Sequence, residues 1–505
     1  MSNLLDLLTV SASSFGHRPA LRFDGAPIEH AALVECVAKL AAGFQSAGLA
    51  AGDRVVLLSR NRPEWLMAFF AGIACDAIVV PVNPGLAASE VGYIIDHCQP
   101  KLVVAEADLG DLLAQAKNRV SRIFIPPVDY AGLKPGNGED WSRFLAGPSC
   151  ALPCPIAVGQ DAVVIFYTSG TTGHPKGVLL SHDAELFTTR MVARHMRIGP
   201  ADRVIVAGPL AFIYPLIINA LSAFVAGATL TILPRFHPAA LAEVIERERI
   251  TVFMGVPTMF AMLANWGGEN AADLTSLRFA VSAGQNIAWS LCERFRQRFH
   301  VPIHDLWGMT EGTPITGYDP TAEPLGRPES CGRALPGCGV RIVDDSGIDL
   351  PPEGIGEVML AGPNVMLGYY NRPDATAETL RDGWVSSGDL GKLDADGYLY
   401  ILGRKKDLII RGGANIYPGD VEEVLYGHPA VAECAVVGKP DELYGERVTA
   451  YIVPKSAAAI SIEDLRAHCR ERLAGYKVPA DIFLIDSLPK GPTGKILKRV
   501  LRDRA

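Results

Sequence analysis

The chain has no excess of basic charge: 47 lysines and arginines stand against 55 acids, for a formal net charge of −8. A nucleic-acid binder would need a cationic domain or stripe, so that class is excluded, while a small anionic ligand needs only local positive charge. Cysteine is sparse and scattered, ten in 505 residues. The closest pairs, Cys150 with Cys154 and Cys331 with Cys338, have neither a second pair nor a histidine at zinc-ligand spacing, so reduced thiols are expected instead of a metal site. The opening MSNLLDLLTVSASSFGH lacks a basic leader and carries Asp6 within its apolar run. It does not read as a signal peptide, and a cytoplasmic location is the expectation. Repeats and low-complexity tracts are absent.

Charge of either sign is missing from Val204 to Pro234, between Arg203 and Arg235. By length this run could cross a bilayer. However, Pro209 and Pro215 break its start, Asn219 and Ser222 sit mid-run, and Gly227 separates a helix-like half from the β-like ATLTIL. A buried strand, helix and strand in a large core is the reading, with no transmembrane segment.

What is present is a long, apolar chain, 49% hydrophobic and 20% charged. Single cores stop growing at about 250 to 300 residues, so at least two domains are expected. From Asp53 onward, β-branched runs (RVVLLS, AIVVPV, KLVVAE) alternate with helix-length segments around Glu64 to Cys75 and from Ser89. That alternation implies crossover units and parallel sheets covered on both faces. Pro126 to Gly159, rich in proline and glycine, reads as a long connection. Beyond the charged turn GRKKDLIIRGG lie about a hundred residues with strands and helices of their own, the size of a domain.

Tyr167 to Gly177 reads YTSGTTGHPKG. Holding a phosphate chain takes inward N–H groups, small residues, hydroxyls and a cation. Thr168, Ser169, Gly170, Thr171, Thr172, Gly173 and Lys176 supply these, in an order that is not the P-loop GxxxxGK[ST]. An ordinary solvated turn is the competing reading.

With WGMTEG, SSGDLG, GRKKDLIIRGGANIYP and PKGPTGKILKR following in register, the chain resembles the adenylate-forming superfamily of acyl-CoA synthetases, peptide-synthetase adenylation domains and beetle luciferases over nearly its whole length. The resemblance implies an α/β fold with a large N-terminal domain of doubly wound sheets plus a distorted barrel (1–403). A hinge (404–407) and a smaller, mobile α+β C-terminal domain (408–505) complete it. It implies an acid–CoA ligase using ATP, Mg²⁺ and coenzyme A, forming an acyl-adenylate and then a thioester.

Site residues follow from the same resemblance. Asp389 and Arg404 match the ribose ligands; one carboxylate can accept from both hydroxyls of a diol. Thr310 and Glu311 match the pair at the α-phosphate and Mg²⁺, with Thr172 as a second metal contact. Gly284, Gln285 and Asn286 match the adenine-side turn. Trp307, followed by Gly308, stands where the family usually has a stacking tyrosine, so a ring is kept and a phenolic hydroxyl lost. Lys495 matches the catalytic lysine that neutralises carboxylate and phosphate as they meet. Lys406 matches the hinge, and Gly412 and Gly413 the pantetheine tunnel. A homodimer and acetylation of Lys495 by a lysine acetyltransferase are compatible with the resemblance.

The acyl pocket of the family corresponds to PLAFIYP, VPTMF, SAGQN and GMTEGTP, hence Phe212, Ile213, Tyr214, Val256, Ser282, Ala283, Met309 and Gly312. Ile213 follows Phe212 where amino-acid activators carry an aspartate, which favours an uncharged acyl group. A medium- or long-chain fatty acid is the first reading. An aromatic or alicyclic acid is the alternative, and a non-catalytic acyl or nucleotide sensor the alternative of another class.

Overall fold

The β-branched runs form strands buried on both faces, and the segments between them fold back as helices. The structure, a computed structural model, describes residues 3–117, 120–125, 139–168, 175–266, 272–319, 327–455, 461–491 and 496–504. Strands Arg54–Leu58, Ile78–Val82, Leu102–Glu106 and Ser121–Ile125 pair in parallel, with Ala162–Thr168 parallel to Ile78–Val82. Lys176–Ser181 and Gly368–Tyr369 complete this sheet in antiparallel fashion. A second sheet has parallel Pro19–Phe23, Thr229–Ile232, Arg203–Val206, Val252–Gly255, Phe279–Ala283 and Ile303–Met309 at its centre. Helices of crossover length connect such strands, as parallel pairing requires.

The uncharged segment is core. Arg203–Val206 and Thr229–Ile232 are neighbouring strands, and between them Tyr214–Leu221 forms a π-helical turn that runs into the helix Ser222–Ala226. Phe224 meets Phe70 edge-on at 5.7 Å, which ties this segment to the buried helix Pro63–Ala74. The buried Asn219 gives its amide to the Ile205 carbonyl at 3.0 Å. Among the described residues no helix is long and apolar enough to cross a membrane.

Gly339–Val343, Gly356–Ala361, Leu380–Arg381, Trp384–Leu393 and Leu399–Arg404 make an antiparallel sheet, the part that the resemblance assigns to a distorted barrel. Residues 409–484 have their own sheet. Gly445–Pro454 lies at its centre beside Val431–Asp441, and helices Pro418–Tyr426 and Ile462–Arg472 share a core with it.

One connection is more ordered than its composition suggests. Within Pro126 to Gly159 the segment Glu139–Leu145 is helical, with Trp141 buried, and Phe144 presses on Gly43 where a β-carbon would come within 2.4 Å. Tertiary packing overrides the local proline and glycine content here. Residues 126–138 of that connection lie outside the described residues.

Gly227 ends the buried helix at φ 67°, and a β-carbon there would come within 2.2 Å of the Phe15 ring. Left-handed backbone costs a side chain about 1 to 2 kcal/mol before any clash. Gly227→Ala is therefore expected to lower the first thermal unfolding midpoint by about 5 °C. Calorimetry checks this, and an unchanged midpoint would contradict the packing described.

Candidate active site

The phosphate-loop motif is carried by a hairpin. Thr168 and Lys176 are cross-strand partners, so the loop between them leaves and returns at one point. Tyr167, one residue before, is pinned by His97 at 2.7 Å, and burial holds that imidazole below its ordinary pKa. Ser169, Gly170, Thr171, Thr172 and Gly173 lie outside the described residues. Lys176 places its ammonium 4.8 Å from the centre of the Tyr369 ring, a cation–π contact.

A second hairpin presents the WGMTEG motif. Met309 pairs with Gly312, which leaves Thr310 and Glu311 at the tip. Glu311 is buried, and its Oε1 accepts a 2.7 Å hydrogen bond from the Tyr369 hydroxyl. The Met366 N–H bonds the Glu311 carbonyl at 2.9 Å, while the N–H groups of Leu367 and Tyr370 bond carbonyls of Leu179 and Gly177. Residues 366–370 thus stitch the two hairpins together, with Tyr369 touching the cation of one and the carboxylate of the other. Mg²⁺ is hard, and protein sites offer it one or two carboxylates while substrate phosphates and water supply the rest. Glu311 as a lone carboxylate fits that pattern, since no group of three metal-ligating side chains occurs among the described residues.

The third element is an ion pair made by a buried carboxylate and a half-buried guanidinium. Asp389 and Arg404 are cross-strand partners, joined through Arg404 Nε and Asp389 Oδ1 at 2.8 Å. The Trp307 indole N–H donates to the other oxygen, Oδ2, at 3.1 Å. Gly308 follows at the end of the same strand. On the nearby turn, Gly284 takes φ 86° and the Asn286 amide reaches the Ile401 carbonyl at 2.9 Å, while Gln285 is half-buried. The adenine-side and ribose-side motifs are thereby brought together.

The segments expected to line the acyl pocket start from neighbouring strand ends. Phe212, Ile213 and Tyr214 are half-buried at the entrance to the π-helical turn, and the Tyr214 hydroxyl donates to the Val281 carbonyl at 3.2 Å. Ser282 and Ala283 are buried, Val256 precedes the helix Pro257–Asn265, and Met309 and Gly312 flank the Glu311 tip.

The lysine motif belongs to the C-terminal part of the sequence, and the expected hinge, 404–407, precedes that part. Lys495 lies outside the described residues. Lys405–Asp407 form a short 3₁₀ turn in which Lys406 is exposed, and Lys405 and Asp407 are paired with Asp345 and Arg502. Gly412 and Gly413 make an exposed turn at φ 57° and 82°. Glu423 accepts N–H bonds from Trp289 and Ser290 at 3.0 and 3.1 Å, capping the helix Trp289–Phe299 that follows the adenine-side turn.

Two residues escaped the motif reading. Tyr369 lies in GYYNRP, with no chemical signal beyond its aromaticity. Asp305 stands two before Trp307 on one strand and so shares its face. It is the cross-strand partner of Ser282, and both Asp305 Oδ1 and Ser282 Oγ are buried without a hydrogen-bond partner. Burial pushes the Asp305 carboxyl up to about 8. An acid inside an apolar strand was the available clue.

Comparison with known proteins identifies the family. Residues 8–370 match the AMP-binding enzyme model and residues 420–495 the AMP-binding enzyme C-terminal domain model. A feruloyl-CoA synthase of Amycolatopsis sp is 36% identical over 97% of this chain and 96% of its own length. A long-chain-fatty-acid–CoA ligase of Bacillus subtilis is 32% identical over 99% and 94%. The crystal structure of an anthranilate CoA ligase in complex with anthranoyl-AMP superimposes with a TM-score of 0.92 at 26% identity, covering 99% of this chain and 96% of that one. The chain belongs to the AMP-binding enzyme family, and its class is that of the AMP-forming acyl-CoA synthetases.

Removing the Tyr369 hydroxyl leaves Glu311 buried with one charge-assisted bond fewer. Tyr369→Phe is expected to slow acid-dependent ATP–pyrophosphate exchange about tenfold and to raise the Mg²⁺ concentration needed for half-maximal rate. Titrating Mg²⁺ in that assay checks it; wild-type exchange would contradict the role. The raised Asp305 carboxyl gives a second expectation. Between about pH 4 and pH 8 the folded chain keeps a proton that the unfolded chain loses, so stability falls as pH rises through this window. Asp305→Asn is expected to shrink that fall, measured as urea midpoint against pH, and the buried Glu185, also raised to about 8, accounts for part of what remains.

Proposed function

We propose that the chain joins a ring-bearing carboxylic acid to coenzyme A in two half-reactions at one site. In the first, a carboxylate oxygen attacks the α-phosphorus of ATP, the bond to the bridging oxygen breaks, and pyrophosphate leaves an acyl-adenylate behind. In the second, the thiolate of coenzyme A attacks the acyl carbonyl and AMP departs. The Thr168 to Lys176 loop, including Thr172, takes the β- and γ-phosphates. Thr310 attends the α-phosphate, and Glu311 with Thr172 would hold Mg²⁺, which offsets phosphate charge when bound. Asp389 and Arg404 take the ribose, and the Gly284 to Asn286 turn and the Trp307 face take the adenine. Lys495 supplies the ammonium that two meeting anions require.

The C-terminal part is proposed to turn about residues 404–407, with Lys406 in the hinge, so that the turn at Gly412 and Gly413 replaces Lys495 at the site for the second step. Acetylation of Lys495 would remove its charge and silence the first step. The absence of a membrane-crossing helix among the described residues is compatible with a cytoplasmic enzyme.

The ring is favoured by one observation above others. Phe212 and Tyr214 stand on the same wall segment, and the Tyr214 ring is fixed by its bond to the Val281 carbonyl. Rigid aromatic side chains meet a flat ring edge-on or offset and gain about 0.5 to 1.5 kcal/mol beyond area burial, which a flexible chain does not offer them. The feruloyl and anthranilate relatives support the same reading. This reverses the order of the two acids expected from sequence. A fatty acid is the second reading, supported by the Bacillus subtilis relative and the apolar Phe212–Ile213 wall.

The test is coenzyme A-dependent AMP release over a panel of ferulic, indoleacetic, benzoic, cyclohexanecarboxylic, octanoic and palmitic acids. The proposal expects kcat/KM for an aryl acid to exceed that for either fatty acid by about tenfold or more, the scale of one well-fitted pocket contact. A fatty acid as best substrate would overturn the ring. No AMP release with any acid would favour the sensor reading.

A further inference from the structure

We propose that Trp307 is a positioning residue for the nucleotide sugar: its indole N–H, independently of its ring face, fixes the orientation of the Asp389 carboxylate. The inference rests on the reading of Asp389 as the ribose ligand. It concerns a feature that this chain has and a tyrosine in the same place would not supply. The indole N–H lies in the ring plane on its flank, whereas a phenolic hydroxyl projects from the far end of the ring. An indole can therefore stack with its face and donate with its edge at the same time.

The geometry gives the bond weight. Trp307 and Asp389 are both buried, 8% and 6% exposed, and belong to different sheets. Trp307 lies among Ile315, Val358, Leu360, Val385 and Leu399, a core that leaves the ring little room to turn. Its N–H meets Asp389 Oδ2 at 3.1 Å while Arg404 Nε meets Oδ1 at 2.8 Å. A carboxylate torsion is soft on its own, with a broad two-fold profile. Gripped at both oxygens, it is held in one plane.

The two grips differ. Arg404 is the last residue of its strand, adjoins the 3₁₀ turn Lys405–Asp407, the expected hinge, and keeps 35% of its side chain exposed. Trp307 lies inside the large sheet and is buried. The indole is thus the more enclosed of the two grips on Asp389. Tryptophan as a stacking plate alone would affect every adenine nucleotide alike; tryptophan as a guide for Asp389 affects only nucleotides that have the diol.

The experiment compares ATP with 2′,3′-dideoxy-ATP, by calorimetric binding to the full chain as wild type, Trp307→Phe and Asp389→Ala. Phenylalanine keeps a ring face and removes the donor. Wild type is expected to prefer ATP by about tenfold or more, the worth of hydrogen bonds to a charged group, and Asp389→Ala to lose that preference. Trp307→Phe is expected to bind ATP about tenfold more weakly and dideoxy-ATP nearly as wild type, so that the preference falls to about twofold. Equal weakening of both nucleotides by Trp307→Phe, with the preference intact, overturns the proposal and leaves stacking as the role. A wild type without preference overturns the ribose reading itself, and the inference with it. Should Trp307→Phe fail to fold, Asp389→Asn is read instead through the indole N–H signals of the six tryptophans. One signal moving upfield supports the bond, and none moving overturns it.

Discussion

Asp389 is a carboxylate with 9% of its side chain exposed, set at the seam between two sheets, and an anion so placed must be paired or pay a desolvation cost of several kcal/mol. Arg404 and Trp307 meet it from two different sheets. Arg404 reaches it because Trp384–Leu393 and Leu399–Arg404 are antiparallel neighbours in a register that puts the two residues opposite. Trp307 reaches it because Ile303–Met309 ends against that sheet and shares its core. Arg404 also adjoins the 3₁₀ turn Lys405–Asp407 that leads into the C-terminal part.

Around it the remaining charges are sorted in pairs through a single segment. Residues 366–370 hydrogen-bond to both the phosphate-loop hairpin and the Glu311 tip, and Tyr369 faces Lys176 with its ring and Glu311 with its hydroxyl. The Lys176 cation and the Glu311 carboxylate are thus held by the face and the hydroxyl of one ring.

Much of this was readable from residues alone. Alternating β-branched runs and amphipathic segments carried the parallel sheets, because burial on both faces leaves no other use for a run such as RVVLL. The uncharged stretch from Val204 to Pro234 was legible as core because its prolines, Asn219 and Gly227 made a single membrane-spanning helix untenable. What could not be read depended on contacts distant in sequence. The helix Glu139–Leu145 is stabilised by Trp141 and Phe144 packing on a helix a hundred residues earlier. Tyr369 has no local signal because its role comes from Lys176 and Glu311, and Asp305 is recognisable only once Ser282 is its neighbour across the sheet. Trp307 was read for its face, while its edge acquires a partner 82 residues away.

In the proposed reaction the acid is activated by bonding its own oxygen to the α-phosphorus of ATP. The most direct measurement uses an acid labelled with ¹⁸O in its carboxylate, turned over with ATP and coenzyme A, with the products read by mass spectrometry. One labelled oxygen is expected in AMP and none in pyrophosphate. Label in inorganic phosphate, or unlabelled AMP beside full thioester formation, would contradict it.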